Sequence, residues 1–185
     1  MVSTAEFRNG LVINYEGHLY FIVEFQHVKP GKGVAFVRTR LKNVRTGAVI
    51  TPTFRSGDKV EDVRLERREM QYLYASDGFY HFMDTQTYEQ VQFTEETVSN
   101  VTPYLKENDV VEVLTTEDGP IGVEMPTFTV LTVTHTEPGI RGDTATGGTK
   151  PATLETGLTV QVPLFVNVGQ KLKIDTRTGT YVERA

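Results

Sequence analysis

Cysteine is absent from this chain, which excludes disulfides and thiolate metal sites and fits a cytoplasmic protein. There is no run of about 18 apolar residues, so no membrane span is expected. The opening Met1-Val2-Ser3-Thr4-Ala5-Glu6 has no basic stretch followed by an apolar one, so no secretory signal is expected. The four histidines, His18, His27, His81 and His135, show none of the close spacings of metal sites; each reads as a strand-surface or satisfied buried residue. Gly142 to Lys150 resembles a phosphate loop only superficially: the Gly-Lys-Ser/Thr ending is missing, and the segment joins no buried strand to a helix. No serine sits in a nucleophile elbow, and no two carboxylates are paired by their spacing. No catalytic residue, metal or cofactor is therefore expected, and the chain reads as a non-enzyme.

The most telling scarcity is of negative charge. From Phe25 to Gly57 there is no Asp or Glu, while Lys29, Lys32, Arg38, Arg40, Lys42, Arg45 and Arg55 are all basic. Residues 1–63 carry nine Lys/Arg against six Asp/Glu, residues 64–126 four against thirteen, and residues 127–185 six against five. The overall net charge of −5 thus comes from the middle third. Basic ends around an acidic waist suit a molecule that touches RNA at both ends without coating it indiscriminately, although ordinary variation in surface charge explains the split as well.

What is present is mostly strand signal. Leu11–Tyr15, Leu19–Phe25, Val34–Leu41 and Val49–Phe54 are short runs rich in β-branched and aromatic residues, separated by glycine-containing turns. Arg45-Thr46-Gly47 reads as a hairpin turn, and Arg177-Thr178-Gly179 repeats it near the other end. Further strands are expected at Met70–Tyr74, Phe79–Met83, Val110–Thr115, Gly119–Glu124, Thr127–His135, Leu158–Pro163, Lys171–Asp175 and Thr180–Glu183. Thr94 to Leu105 reads as a short helix ended or kinked by Pro103, and Gly139 to Lys150 as a long exposed loop. Changes of composition near Val63–Arg67 and at Met125-Pro126 divide the chain into 1–63, 64–126 and 127–185. The fold class is all-β, with three small barrels in a row.

Lys32 stands between Gly31 and Gly33 at the tip of the first long hairpin, in Lys29-Pro30-Gly31-Lys32-Gly33. Each strand residue advances about 3.3 Å, and the lysine adds a flexible stem ending in three N–H donors. Such an amine is suited to reach into a polyanion, though a solvated turn lysine has the same local sequence. Arg38, Arg40 and Lys42 fall at i, i+2 and i+4 and share one strand face. A solvated face explains them, but the acid-free span favours contact with an RNA backbone.

The hairpin tip and the C-terminal third resemble the bacterial elongation factor P family. The resemblance rests on Lys150-Pro151-Ala152-Thr153-Leu154-Glu155-Thr156-Gly157, continuing through Val162-Pro163-Leu164-Phe165 to Gly169. Gly142-Asp143-Thr144-Ala145, Gln71-Tyr72-Leu73-Tyr74 and the ending Arg177-Thr178-Gly179, Tyr181-Val182, Arg184 also match. It covers the whole chain. The resemblance implies a KOW/SH3-like barrel followed by two OB-folds, arranged in an L similar in shape to transfer RNA. It further implies a monomer that binds both ribosomal subunits between the peptidyl-tRNA site and the exit site and relieves stalling at consecutive prolines. Lys32 takes the place that contacts the acceptor end of peptidyl-tRNA and is extended by a modifying enzyme in many members. The residue is lysine, which excludes the sugar-on-arginine variant but leaves open a β-lysyl group, an aminopentanol group or no extension. Gly142, Asp143 and Thr144 take the place that approaches messenger RNA in the exit site. Tyr181 and Arg184 either contact RNA or close the last barrel. The eukaryotic hypusine-containing initiation factor is a relative with two barrels, so a third barrel favours the bacterial form. Two alternatives stay open: a paralogue of this factor, and a generic OB-fold RNA binder with aromatics along a basic groove.

Overall fold

The computed structural model describes residues 1–139 and 148–185. The strand-forming runs become three successive antiparallel sheets, and no α-helix occurs among the described residues. The first sheet holds β1 (Val2–Ser3), β2 (Val12–Tyr15), β3 (His18–Val28), β4 (Phe36–Asn43), β5 (Val49–Ile50), β6 (Thr53–Arg55) and β7 (Lys59–Asp62). The second holds β8 (Glu66–Ser76), β9 (Phe79–Asp84), β10 (Gln90–Thr94), β11 (Val110–Thr116) and β12 (Gly119–Glu124). The third holds β13 (Phe128–Thr136), β14 (Thr149–Leu154), β15 (Thr159–Pro163), β16 (Lys171–Asp175) and β17 (Thr180–Arg184).

The second and third sheets share one topology. Counting strands within each, the order is third, second, first, fourth, fifth. In every sheet the longest strand slips register by one residue, at Val23, Leu73 and Thr134. An extra residue bends a strand and raises its twist, so one strand can serve two neighbours that a flat sheet could not join. β13 shows the result: its first half pairs with β16 and its second half with β14.

The chain divides into two compact units, Met1–Arg68 with Val113–Gly122, and Glu69–Glu112 with Val123–Ala185. In the first, Phe7, Leu11, Ile13, Tyr20, Ile22, Val37, Leu41, Phe54 and Val60 form the core. In the second, Leu131, Val133, Leu154, Val160, Val162, Leu172 and Ile174 pack around Tyr104.

Three expectations need correction. Thr94–Leu105 is a run of turns, not a helix: its backbone bonds alternate between i−4, as in Val98 N–H to the Thr94 carbonyl, and i−3, as in Val101 N–H to the Val98 carbonyl. β-branched Thr94, Thr97, Val98, Val101 and Thr102 resist helix, and the Ser99 and Thr102 hydroxyls donate to the Glu96 and Ser99 carbonyls, competing with the helical ladder. The strand expected over Val49–Phe54 breaks at Thr51-Pro52, because proline lacks the N–H; the Pro52 carbonyl instead accepts from both Thr39 N–H and Thr39 Oγ1. The loop expected to run to Lys150 ends earlier, since β14 begins at Thr149. Lys150 faces inward beside Ala152 and Leu154, only 7% exposed, and its Nζ donates to the Glu137 carbonyl at 2.5 Å.

Candidate nucleic-acid interface

β3 and β4 pair from Tyr20↔Asn43 up to Val28↔Phe36, leaving Lys29–Ala35 as the connecting loop. β4 therefore begins two residues later than the expected start at Val34, and the loop is seven residues long rather than five. β6 buttresses its base, pairing Arg55 with Phe36, and the Ser56 N–H donates to the Ala35 carbonyl at 3.1 Å. Gly33 has φ +106°, a conformation that strains any residue with a Cβ. Pro30 packs within 3.9 Å of where that Cβ would stand. Lys29, Gly31, Lys32 and Gly33 are exposed and Pro30 is half-buried, so a short pinned loop lifts Lys32 into solvent. Sequence reasoning missed Val34, which is 70% exposed beside Lys32.

Along β4 burial alternates. Val37, Thr39 and Leu41 turn inward, while Arg38, Arg40 and Lys42 share the outward face, as their spacing requires. None of the seven basic residues between Phe25 and Gly57 makes an ion pair among the described residues. Even Glu24, directly across from Arg40, does not pair with it. An open groove of about 420 Å³ runs beside these residues, lined by Glu24, Gln26, Arg38, Arg40, Thr51 and Thr53 among others. The Arg38 guanidinium carbon stands 5.4 Å from the centre of the Phe36 ring. An unpaired, outward row of cations on a rigid strand is a footprint suited to phosphates.

The other predicted residues that the structure describes lie in the second unit. Gly142, Asp143 and Thr144 lie outside the described residues. Tyr181 and Arg184 differ in their surroundings. In β17 the register slips at Val182, so Tyr181 stands opposite Ile174 and Arg184 opposite Leu172, both on the core-facing side. Tyr181 is half-buried and packs against the core. Arg184 sits at the rim, with its guanidinium carbon 4.7 Å from the centre of the Phe165 ring, and makes no ion pair among the described residues.

Arg177, in the turn after β16, is neutralised locally. Arg177 donates to both carboxylate oxygens of Asp175, at 3.2 and 2.8 Å. Those bonds hold the Asp175 carboxyl below its usual value of 3.8 and raise Arg177. Tyr104 is raised, chiefly by burial. Among the described residues no three His, Asp or Glu side chains converge as a metal ion would need, and no helix is long and apolar enough to cross a membrane.

Known proteins match this architecture from end to end. The family model for the elongation factor P KOW-like domain matches residues 3–60, that for the elongation factor P OB domain residues 65–123, and that for elongation factor P, C-terminal, residues 129–184. Elongation factor P of Pelotomaculum thermopropionicum is 58% identical over 184 residues, covering 100% of both chains. That of Moorella thermoacetica is 57% identical over 185 residues, again covering 100% of both. That of Rhodococcus erythropolis is 55% identical, covering 100% of this chain and 98% of the relative. Among solved structures, the eukaryotic translation initiation factor 5A from Methanococcus jannaschii shares the fold at TM-score 0.56 and 23% identity, over 67% of this chain and 91% of its own. A translation initiation factor 5A family protein from Naegleria fowleri does so at TM-score 0.53 and 12% identity, over 66% and 94%. The first sheet is thus KOW-like and the second an OB barrel whose strand order the third repeats, and the chain belongs to the elongation factor P family.

Proposed function

We propose that this chain acts in the cytoplasm as a monomeric translation elongation factor. It binds both ribosomal subunits between the peptidyl-tRNA and exit sites and speeds peptide-bond formation where consecutive prolines stall it. The working parts are three domains, 1–63, 64–126 and 127–185. Lys32 contacts the acceptor end of peptidyl-tRNA, while Arg38, Arg40 and Lys42 contact its backbone. The Gly142-Asp143-Thr144 loop approaches messenger RNA, where an acidic residue would meet base-edge donors rather than phosphate.

The observation that carries this reading is an exposed, unpaired lysine on a pinned loop above an outward row of cations, in a member of the elongation factor P family. Proline is a constrained nucleophile, so poor alignment is the deficit to correct. Holding a flexible substrate in attack geometry is worth up to about 7–11 kcal/mol without acid–base chemistry. The ribosome supplies the catalysis, and the chain supplies position. A modifying enzyme that lengthens Lys32 would extend its reach.

The test is rescue of a polyproline reporter in cells lacking the factor, using wild type, Lys32→Ala and Lys32→Arg. Wild type rescues and Lys32→Ala fails, with its melting temperature unchanged because the loop tip buries almost nothing. Equal rescue by all three overturns the lysine mechanism. Intact mass of the native protein shows whether Lys32 carries an extension.

A further inference from the structure

Three cations lie over phenylalanine rings among the described residues: Arg38 over Phe36 at 5.4 Å, Arg184 over Phe165 at 4.7 Å, and Lys173 over Phe128 at 4.6 Å. The lysine is the informative contrast. Lys173 also reaches the Glu183 carboxylate at 3.5 Å, so its charge is satisfied within the protein. Among the described residues neither arginine has a carboxylate partner, whereas Arg68 and Arg177 pair with Glu66 and Asp175. The two unneutralised arginines on rings stand one in each compact unit.

We propose that Phe36 and Phe165 are positioning residues, each ring holding one guanidinium so that its N–H edge is presented to an RNA phosphate. This rests on the reading that Arg38 and Arg184 face RNA. An arginine side chain loses rotamer freedom when it binds, and a ring beneath the guanidinium removes part of that freedom beforehand while leaving the in-plane donors free for bidentate contact. Phe165 is 54% exposed, so burial in the core does not account for a large apolar ring at that place. Local backbone geometry sets up each pair. Phe36 and Arg38 are i and i+2 on one outward face of β4, and the register slip at Val182 turns Arg184 toward the barrel rim beside Phe165.

The experiment measures binding of the full-length protein to 70S ribosomes across a salt series, for Arg38→Gln, Arg184→Gln, Phe36→Leu, Phe165→Leu, the two Phe→Tyr variants and the two paired double variants. Each Arg→Gln change should weaken binding about three- to tenfold and lower the slope of log affinity against log salt by about 0.7–0.9, the loss of one phosphate contact. Each Phe→Leu change should reproduce part of that loss and of the slope change, add nothing when its arginine is already glutamine, and be rescued by tyrosine. Melting temperature and the ring-current shift of the Arg Nε–H resonance, read on the free protein, separate positioning from misfolding. A photoreactive phenylalanine analogue at position 165, beside Arg184, should crosslink to RNA.

Leucine variants that bind like wild type while the glutamine variants fail overturn the positioning role. So do ring and arginine losses that simply add, or an Arg Nε–H resonance indifferent to the ring. Crosslinks confined to ribosomal protein overturn the RNA partner at Arg184. Glutamine variants that bind like wild type overturn the RNA-contact reading itself, which the Lys32 reporter assay checks independently.

Discussion

The turn after β4 and the turn after β16 are nearly the same object built for opposite electrostatic ends. In Asn43-Val44-Arg45-Thr46-Gly47 the Asn43 Oδ1 accepts from Arg45 and Thr46 N–H at 2.9 and 3.0 Å, and Gly47 N–H donates to the Asn43 carbonyl at 2.9 Å. In Asp175-Thr176-Arg177-Thr178-Gly179 the Asp175 Oδ1 accepts from Arg177 N–H at 2.8 Å, and Gly179 N–H donates to the Asp175 carbonyl at 2.8 Å. The amide cap leaves Arg45 without an ion pair among the described residues, while the carboxylate cap binds Arg177 through two further bonds. One oxygen in place of an NH₂ decides whether the arginine is offered outward or spent internally. The difference shows that the acid-free stretch reaches into residues whose task is backbone capping, where either side chain makes the same turn. A third copy follows β9. Asp84 Oδ1 accepts from Gln86 and Thr87 N–H at 2.8 and 3.0 Å, and Tyr88 takes the last position at φ +63°.

The comparison is open to substitution. Gly179→Ala has the largest expected effect, because φ is +70° and a Cβ there would lie 2.9 Å from the hydroxyl of buried Tyr104. It should cost about 3 kcal/mol in urea unfolding, combining left-handed strain with overpacking. Gly47→Ala, at φ +74° with only the mobile Lys42 Cε at 3.9 Å, should cost about 1 kcal/mol. Equal losses would show that the Tyr104 contact yields freely. Tyr88→Gly should stabilise by about 0.5 kcal/mol, since glycine relieves the strain but adds freedom to the unfolded chain; a loss would show that the exposed ring holds the turn. The smallest effect belongs to Asp175→Asn, which keeps the cap and removes the charge. The Asp175 pKa is lowered in the folded protein, so its contribution is present above 3.8 and fades as pH falls through the lowered value. Melting temperature should therefore drop less steeply with acid in the asparagine variant than in wild type, and parallel acid limbs would show that the Arg177 bonds contribute nothing.

Much of this was readable in one dimension. The outward row Arg38, Arg40, Lys42 follows from strand period, and the two Arg-Thr-Gly turns announce themselves by glycine. The Asp84–Tyr88 copy stayed hidden because no glycine marks it. β10 was missed although Val91 and Phe93 alternate with polar neighbours, and β1 and β7 are too short to carry a pattern. The turns at Thr94–Leu105 defeated a helical reading because side-chain hydroxyls took the carbonyls a helix would use.

Alternation of side chains and the chemistry of turn residues act between near neighbours, so the chain by itself determined an all-β protein, its basic outward face and a lysine at a loop tip. Pairings between distant residues depend on which strands meet and on where a register slips. Only the tertiary structure therefore decided that Tyr181 packs against the core, that Arg184 lies over Phe165, and that Lys150 is buried against the Glu137 carbonyl.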